Sequence, residues 1–220
     1  MGTKEVKKLK RTTYTLGEEI FNSISHGVGA GLSIAALVLM IIKAAFTRNI
    51  YMIISACIFG AMMILLYTMS TLYHAITNKK AKKVFQIFDH CTIFLLIAGT
   101  YTPYTLVTLN GTIGWTLFGI LWGFAILGII FNAIDLQRFK KISVVCYLIM
   151  GWSIVFAFKP LLENLALGGL IFLFAGGIFY TIGVIFYVLK RVKYMHSIWH
   201  LFVLGGTICH FFSVFFWVIQ

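Results

Sequence analysis

Residues 50–73 read IYMIISACIFGAMMILLYTMSTLY, an apolar run without a single aspartate, glutamate, lysine or arginine. A helix of about 20 apolar residues spans the roughly 30 Å hydrocarbon layer of a bilayer. Runs of the same kind flank this one, near 27–46, 88–108, 112–132, 142–158, 166–188 and 197–218. The pattern predicts an all-α membrane protein: a seven-transmembrane-helix bundle forming one domain over 27–220, preceded by a polar segment over 1–26. Composition agrees, since 60% of the 220 residues are hydrophobic and 11% are charged, against roughly a quarter charged in a soluble domain. The first run follows a polar stretch and lacks a small-residue cleavage site, so it reads as a retained span rather than a signal peptide. The link around Asn110-Gly111 is short enough that spans three and four should form an antiparallel hairpin. Span five is expected to stop at Lys159-Pro160.

Net charge is +12. In a soluble protein that excess would suggest nucleic acid as partner, but here the charges form short clusters between apolar runs. Such clusters are expected of cytoplasmic loops in contact with anionic headgroups. The implied partners are membrane lipids, not nucleic acid. Lys4, Lys7, Lys8, Lys10 and Arg11 precede span one; Lys79, Lys80, Lys82 and Lys83 follow span two; Arg138, Lys140 and Lys141 follow span four; Lys190, Arg191 and Lys193 follow span six. Of the 18 lysines and arginines, only Lys43, Arg48 and Lys159 fall on the other side. The positive-inside rule then places the N-terminus in the cytoplasm and Gln220 outside. Cys57, Cys91, Cys146 and Cys209 form no C-x-x-C pair and read as small buried hydrophobes. Small residues recur at helical spacing in Ser23/Gly27/Gly31, Gly119/Gly123 and Gly169/Gly176/Gly183, a pattern that lets helix backbones approach.

Three places break the apolar pattern: Ser70-Thr-Leu-Tyr-His74 ending span two, Asp89-His90 opening span three, and His196-Ser-Ile-Trp-His200 opening span seven. His196 and His200 are i, i+4 neighbours and share a helix face, as do Ser70 and His74. Two imidazoles at that spacing form half of a zinc site, although a single histidine near a helix end is more commonly an interfacial or hydrogen-bonding residue. With the orientation above, all three segments meet the cytoplasmic interface at one depth. Asp89 is costly inside an apolar run, about 2.5–3.5 kcal/mol at a helix centre, unless a nearby cation offsets it. A metal beside it, or a loop lysine such as Lys83, would do so. A fourth polar group, Glu18, Glu19, Asn22 and His26, precedes span one and is expected to line the entrance to the site or to cap an interfacial helix. His210 lies about 15 Å along the helix from His200, too far to share an ion, and is expected to hydrogen-bond within the bundle. His90 has no assigned role.

The stretches EEIFNSISHGVGA (18–30), STLYH (70–74), FDHCTIFLLIAGTYTP (88–103) and HSIWH (196–200) closely resemble the bacterial hemolysin III family, within the progestin and adipoQ receptor superfamily and related to the alkaline ceramidases. The resemblance covers the chain from about Glu18 to its end. It implies a seven-helix bundle in the cell membrane, in bacteria the plasma membrane, with zinc near the cytoplasmic face. By the resemblance the zinc ligands are His74, His196 and His200, Asp89 matches the acidic residue that holds the zinc-bound water, and Ser70 matches the serine one turn before the first ligand. The long N-terminal domain of the adiponectin receptors is absent, which puts a hormone-receptor role in doubt. Three functions follow as expectations: zinc-dependent hydrolysis of a lipid amide or ester, a non-enzymatic membrane-homeostasis or sensor protein with structural zinc, and a cytolysin.

Overall fold

The computed structural model describes residues 14–189 and 192–220, and all regular structure among them is helical. Helix α1 covers Leu16–Thr47, α2 Ile50–Ala75, and α3 Lys79–Pro103, which continues as a π-helical turn over Tyr104–Leu109. Helix α4 runs Gly111–Gly151, followed by a 3-10 turn over Ser153–Ala157 and the short α5, Phe158–Asn164. Helices α6 (Leu167–Val188) and α7 (Met195–Ser213, with a π-helical turn over Val214–Val218) complete the chain.

Six helical stretches are long and apolar enough to cross a membrane. Lipid offers no water to the backbone, so helices that close their own hydrogen bonds are the natural way to span it. Side chains such as Val28, Leu39, Phe124 and Ile171 face outward, as a lipid-facing surface requires. Inside lie Phe59, Met63, Tyr67, Phe94 and Leu121. The α3 stretch is the most buried of the six; α2 and α4 pack against it, and α1 packs against both α2 and α7.

Several element ends differ from those expected. Helix α1 begins at Leu16, ahead of the expected start of span one, and Glu18 provides the helix capping expected of this polar group. Glu18, Asn22 and His26 occupy the first turns of the first membrane helix and are buried. Thr15 caps that helix in a capping box with Glu18: the Glu18 carboxylate accepts from the Thr15 N–H at 2.8 Å, and the Thr15 hydroxyl accepts from the Glu18 N–H at 3.4 Å. Such reciprocal bonds satisfy two of the free N–H groups of a helix start.

The expected fourth and fifth spans share one helical stretch, Gly111–Asn164, of 54 residues. The stretch is not straight, because Asp135 has φ −154° and ψ 90°. Around that break the Ser143 hydroxyl donates to Asn132 Oδ1 at 2.7 Å, although those residues would stand about 16 Å apart along a continuous helix. The chain therefore doubles back at Asp135. The break expected at Pro160 falls earlier, at Trp152–Ala157. Pro160 lies in the first turn of α5, where no N–H bond is lost.

Proline 103 does more than bend α3, since the helix widens into a π turn immediately after it. Thr100, Thr102 and Thr105 donate back to the carbonyls of Leu96, Ala98 and Tyr101, which keeps the surrounding backbone satisfied. The hairpin expected at Asn110-Gly111 is present: Asn110 has φ 41° and Gly111 φ 58°, and Asn110 Oδ1 accepts from the Gly111 N–H at 2.6 Å. Of the small-residue seams, Ser23 donates to the Thr71 carbonyl. Gly31, Gly119 and Gly123, by contrast, have nothing within 4 Å of where a Cβ would stand. Of the cysteines expected inside, Cys57 is exposed. Lys43, a cation inside an apolar span, donates to the Phe215 carbonyl in the π turn after α7 at 2.5 Å.

The close approach behind this hairpin is at Gly114, where a Cβ would stand 2.1 Å from the Thr105 carbonyl oxygen. Backbone cannot rotate away, so Gly114→Ala is expected to destabilise the protein by about 1–3 kcal/mol, read as a lower unfolding temperature in detergent. Gly119→Ala serves as the control and should leave the transition within about 0.5 kcal/mol of wild type.

Candidate metal centre

The last turn of α2 carries His74, and the first two turns of α7 carry His196 and His200. All three are buried. One ring nitrogen from each lies within 4.8 Å of the other two, and the Nε2 atoms of His196 and His200 are 3.2 Å apart. Ligands at 2.0–2.1 Å around a tetrahedral ion stand roughly 3.3–3.4 Å from each other, so that pair is already at ligand spacing.

His74 is oriented from behind. Its Nδ1–H donates to Glu19 Oε2 at 2.6 Å, which leaves Nε2 as the lone-pair nitrogen, and Nε2 has no hydrogen-bond partner. A carboxylate that fixes the tautomer of a histidine and raises its basicity is the usual support of a metal ligand. The carboxylate is itself held. Lys82 from the first turn of α3 lies 3.0 Å from Glu19 Oε1 and donates to the Tyr73 carbonyl at 2.9 Å. A cation there also suits the negative end of the α2 dipole. The donor set of three imidazoles, one partnerless buried nitrogen and a supporting carboxylate fits a zinc-like divalent ion.

Glu18 and Glu19 thus divide the work on α1. Glu18 caps its own helix and accepts from the Tyr194 N–H at 2.8 Å. Tyr194 has φ 63° and precedes α7, so Glu18 holds the start of the helix that carries His196. Asn22 approaches His74 Nδ1 at 3.5 Å. His26 stacks on His200 with centroids 3.6 Å apart, and neither of its ring nitrogens has a hydrogen-bond partner. Tyr14, just before α1, stacks on His196 at 4.7 Å. Burial, followed by the Tyr73 and Tyr187 phenols, pushes the Tyr14 hydroxyl above its ordinary value, so it stays protonated.

Asp89 is buried on α3 outside the histidine trio. Its Oδ2 lies 3.6 Å from His90 Nδ1, and no ion pair with Lys83 exists among the described residues. His90 is engaged elsewhere: its Nδ1 donates to the Gln86 carbonyl at 2.9 Å, and its own carbonyl accepts from Tyr147. Ser70 is buried one turn before His74, with no hydrogen-bond partner for its hydroxyl. Asp89 and His26 line one end of a cavity of about 110 Å³ that extends between α3, α4, α6 and α7 to Tyr104 and His210. His26, stacked on His200, links the trio to that cavity, whose walls are mostly apolar.

Residues 14–211, nearly the whole chain, match the family model described as haemolysin-III related. The chain belongs to the hemolysin III family. It is 49% identical over 213 residues to Hemolysin-3 of Bacillus cereus, covering 97% of each chain. Similarity to the Hemolysin-3 homolog of Bacillus subtilis (strain 168) is 48% over 207 residues, 94% of this chain and 97% of the relative. A more distant relative, the human Monocyte to macrophage differentiation factor, is 27% identical over 167 residues, 73% of this chain and 69% of the relative. Family membership and the six apolar helical stretches make this a multi-pass membrane protein of the cell membrane.

Two residues of the site escape a reading of the sequence. Lys82 meets Glu19 only through tertiary contact, and Tyr14 lies in a segment with no periodic pattern, whereas Glu19 belongs to the polar group that the sequence already places near the site. Replacing Glu19 by Gln is expected to weaken zinc binding to the purified protein about 10–100-fold, measured by competition with a chromophoric chelator. His196→Ala should reduce it further.

Proposed function

We propose that this protein is a seven-span membrane hydrolase that holds zinc at His74, His196 and His200 and cleaves an amide or ester bond of a membrane lipid. The observation that carries the reading is the convergence of three buried imidazoles, one oriented by Glu19, beside an apolar cavity with a carboxylate at its mouth. Zinc held by these three histidines would supply Lewis acidity, activating a water and polarising a carbonyl. Asp89 would act as the base that takes a proton from water and returns it to the departing amine or alcohol. The Ser70 hydroxyl, partnerless on the face shared with His74, orients water or substrate. The cavity receives the acyl chain, and its apolar walls disfavour bulk water.

The seven-span count is supported by the stretch Gly111–Asn164. At 1.5 Å per residue it would extend about 80 Å, more than twice the hydrocarbon thickness, and it folds back at Asp135. Two crossings there put Arg138, Lys140 and Lys141 on the side of the lysine-rich N-terminal segment, which the positive-inside rule makes cytoplasmic. A reporter active only in the cytoplasm should therefore work when inserted after Lys141 and fail when fused after Gln220. Activity at both places would refute the odd number of crossings.

A second reading is a membrane-homeostasis or sensor protein in which zinc is structural. What favours it is that α2 and α7, both packed on α1, are joined through side chains, by the histidine trio and by the Tyr67 hydroxyl donating to Thr207 Oγ1 at 2.8 Å. A metal ion in the trio would tie the two helices. A lytic role, which the names of two relatives carry, has less support, since the spans are predominantly apolar and, among the described residues, no amphipathic insertion segment stands apart from them. Zinc-independent conductance by the purified protein in defined liposomes would favour lysis.

Elemental analysis of the wild type against His74→Ala and His196→Ala tests the centre; about one zinc per chain is expected in the wild type and a substoichiometric amount in both variants. Lipid profiles of cells producing wild type or Asp89→Ala then separate the two readings. Catalysis requires a lipid product that disappears with Asp89→Ala while zinc content persists. Structural zinc predicts unchanged lipids and a large loss of thermal stability on chelation.

A further inference from the structure

The cavity beside Asp89 has a second polar end that the proposed chemistry leaves unused. His210 on α7, Tyr180 on α6 and Tyr104 at the start of the π turn line it there. Both His210 and Tyr104 are buried; His210 Nδ1 has no hydrogen-bond partner, and the Tyr104 hydroxyl meets the Ser213 hydroxyl, which itself donates to the Gly169 carbonyl. A neutral imidazole always presents one N–H and one lone pair, and buried groups of this kind are nearly always satisfied by protein, water or ligand.

The His210 ring is built into its place. A Cβ at position 176 would stand 2.6 Å from His210 Nε2, so only glycine on α6 admits the ring. Tyr180 packs beside it with centroids 5.3 Å apart. That tyrosine cannot turn to serve the histidine, because its hydroxyl is bonded to Thr207 Oγ1 at 2.9 Å, and Thr207 also accepts from Tyr67. Two π-helical turns, Tyr104–Leu109 and Val214–Val218, pack together at this end; π turns recur at functional sites. Between the two polar ends the wall is apolar, with Leu96, Ile97, Leu173 and Val203 among its residues.

We propose that His210 and the Tyr104 hydroxyl form a second polar subsite, which hydrogen-bonds an oxygen-bearing group at the distal end of the lipid chain lying in the cavity. The inference rests on the reading above, in which the histidine trio seats the lipid carbonyl. From His200 to His210 the helix rises about 15 Å, the reach of roughly a dozen extended methylenes. The ligand class is therefore a medium- to long-chain acyl group hydroxylated at or near its end.

The test compares dodecanoic acid with 12-hydroxydodecanoic acid as ligands of the full-length, zinc-loaded protein in detergent, by displacement of a fluorescent fatty acid. Wild type should bind the hydroxylated acid several-fold more tightly than the plain one. In His210→Phe the hydroxylated acid should weaken about tenfold while dodecanoic acid stays within about twofold. His210→Gln should restore the preference, and Tyr104→Phe, which removes one oxygen only, should shift it in the same direction as His210→Phe by less. Equal or weaker binding of the hydroxylated acid to wild type, or an equal effect of His210→Phe on both acids, overturns the subsite and leaves water as the partner of His210 Nδ1. Repeating the series on metal-stripped protein separates the two layers of the argument. If both acids bind unchanged without zinc but the hydroxyl preference persists, the seat at the trio fails and the subsite stands. If binding needs zinc but shows no preference, the subsite alone fails.

Discussion

The hydrogen bond from His74 to Glu19 ties the end of α2 to the start of α1, and that end of the bundle is organised around it. A carboxylate in an apolar bundle is expensive unless it is paired, and Glu19 is paired twice, with His74 and with Lys82. Lys82 in turn donates to main-chain carbonyls at the end of α2. Three helix termini are thereby fastened at one point. Glu18, one residue away, adds a fourth by holding the N–H of Tyr194 before α7. Residues that are individually costly in the membrane are affordable because they satisfy each other.

That arrangement leaves a small number of polar atoms unserved, and their distribution carries the functional argument. His74 Nε2, Ser70 Oγ and both nitrogens of His26 gather at one end of the bundle, and His210 Nδ1 lies further along α7, while Ser55 Oγ on α2 and Asn132 Nδ2 on α4 are also left open. Between α2, α7 and α6 the network is closed in the Tyr67–Thr207–Tyr180 trio.

Glycines play a different part from the one their spacing suggests. Gly169, Gly176 and Gly183 repeat along α6 as a seam for a neighbouring backbone would, yet Gly176 receives the ring of His210 and Gly169 the side chains of Leu165 and Trp217. Small residues in this bundle make room for rings as much as for helices. In lipid, where apolar surface gains nothing by leaving solvent, such close fits are what hold helices together.

The chain of residues alone determined the membrane setting, the apolar helices, the tight Asn110-Gly111 hairpin and family membership, because hydropathy and turn chemistry are local properties. It also picked out Ser70, His74, Asp89, His196 and His200, since polar residues in apolar runs stand out without any knowledge of neighbours. Span ends were less legible: Glu18 to His26 read as a segment ahead of the membrane because polarity normally marks solvent, whereas these groups are buried against one another. Only the tertiary structure decided which polar groups meet. Glu19, Lys82 and His74 lie on three different helices, as do Tyr104, Tyr180 and His210. Their pairing depends on how helices pack, and packing in a bilayer is set by side-chain fit across the whole bundle, which no local pattern encodes.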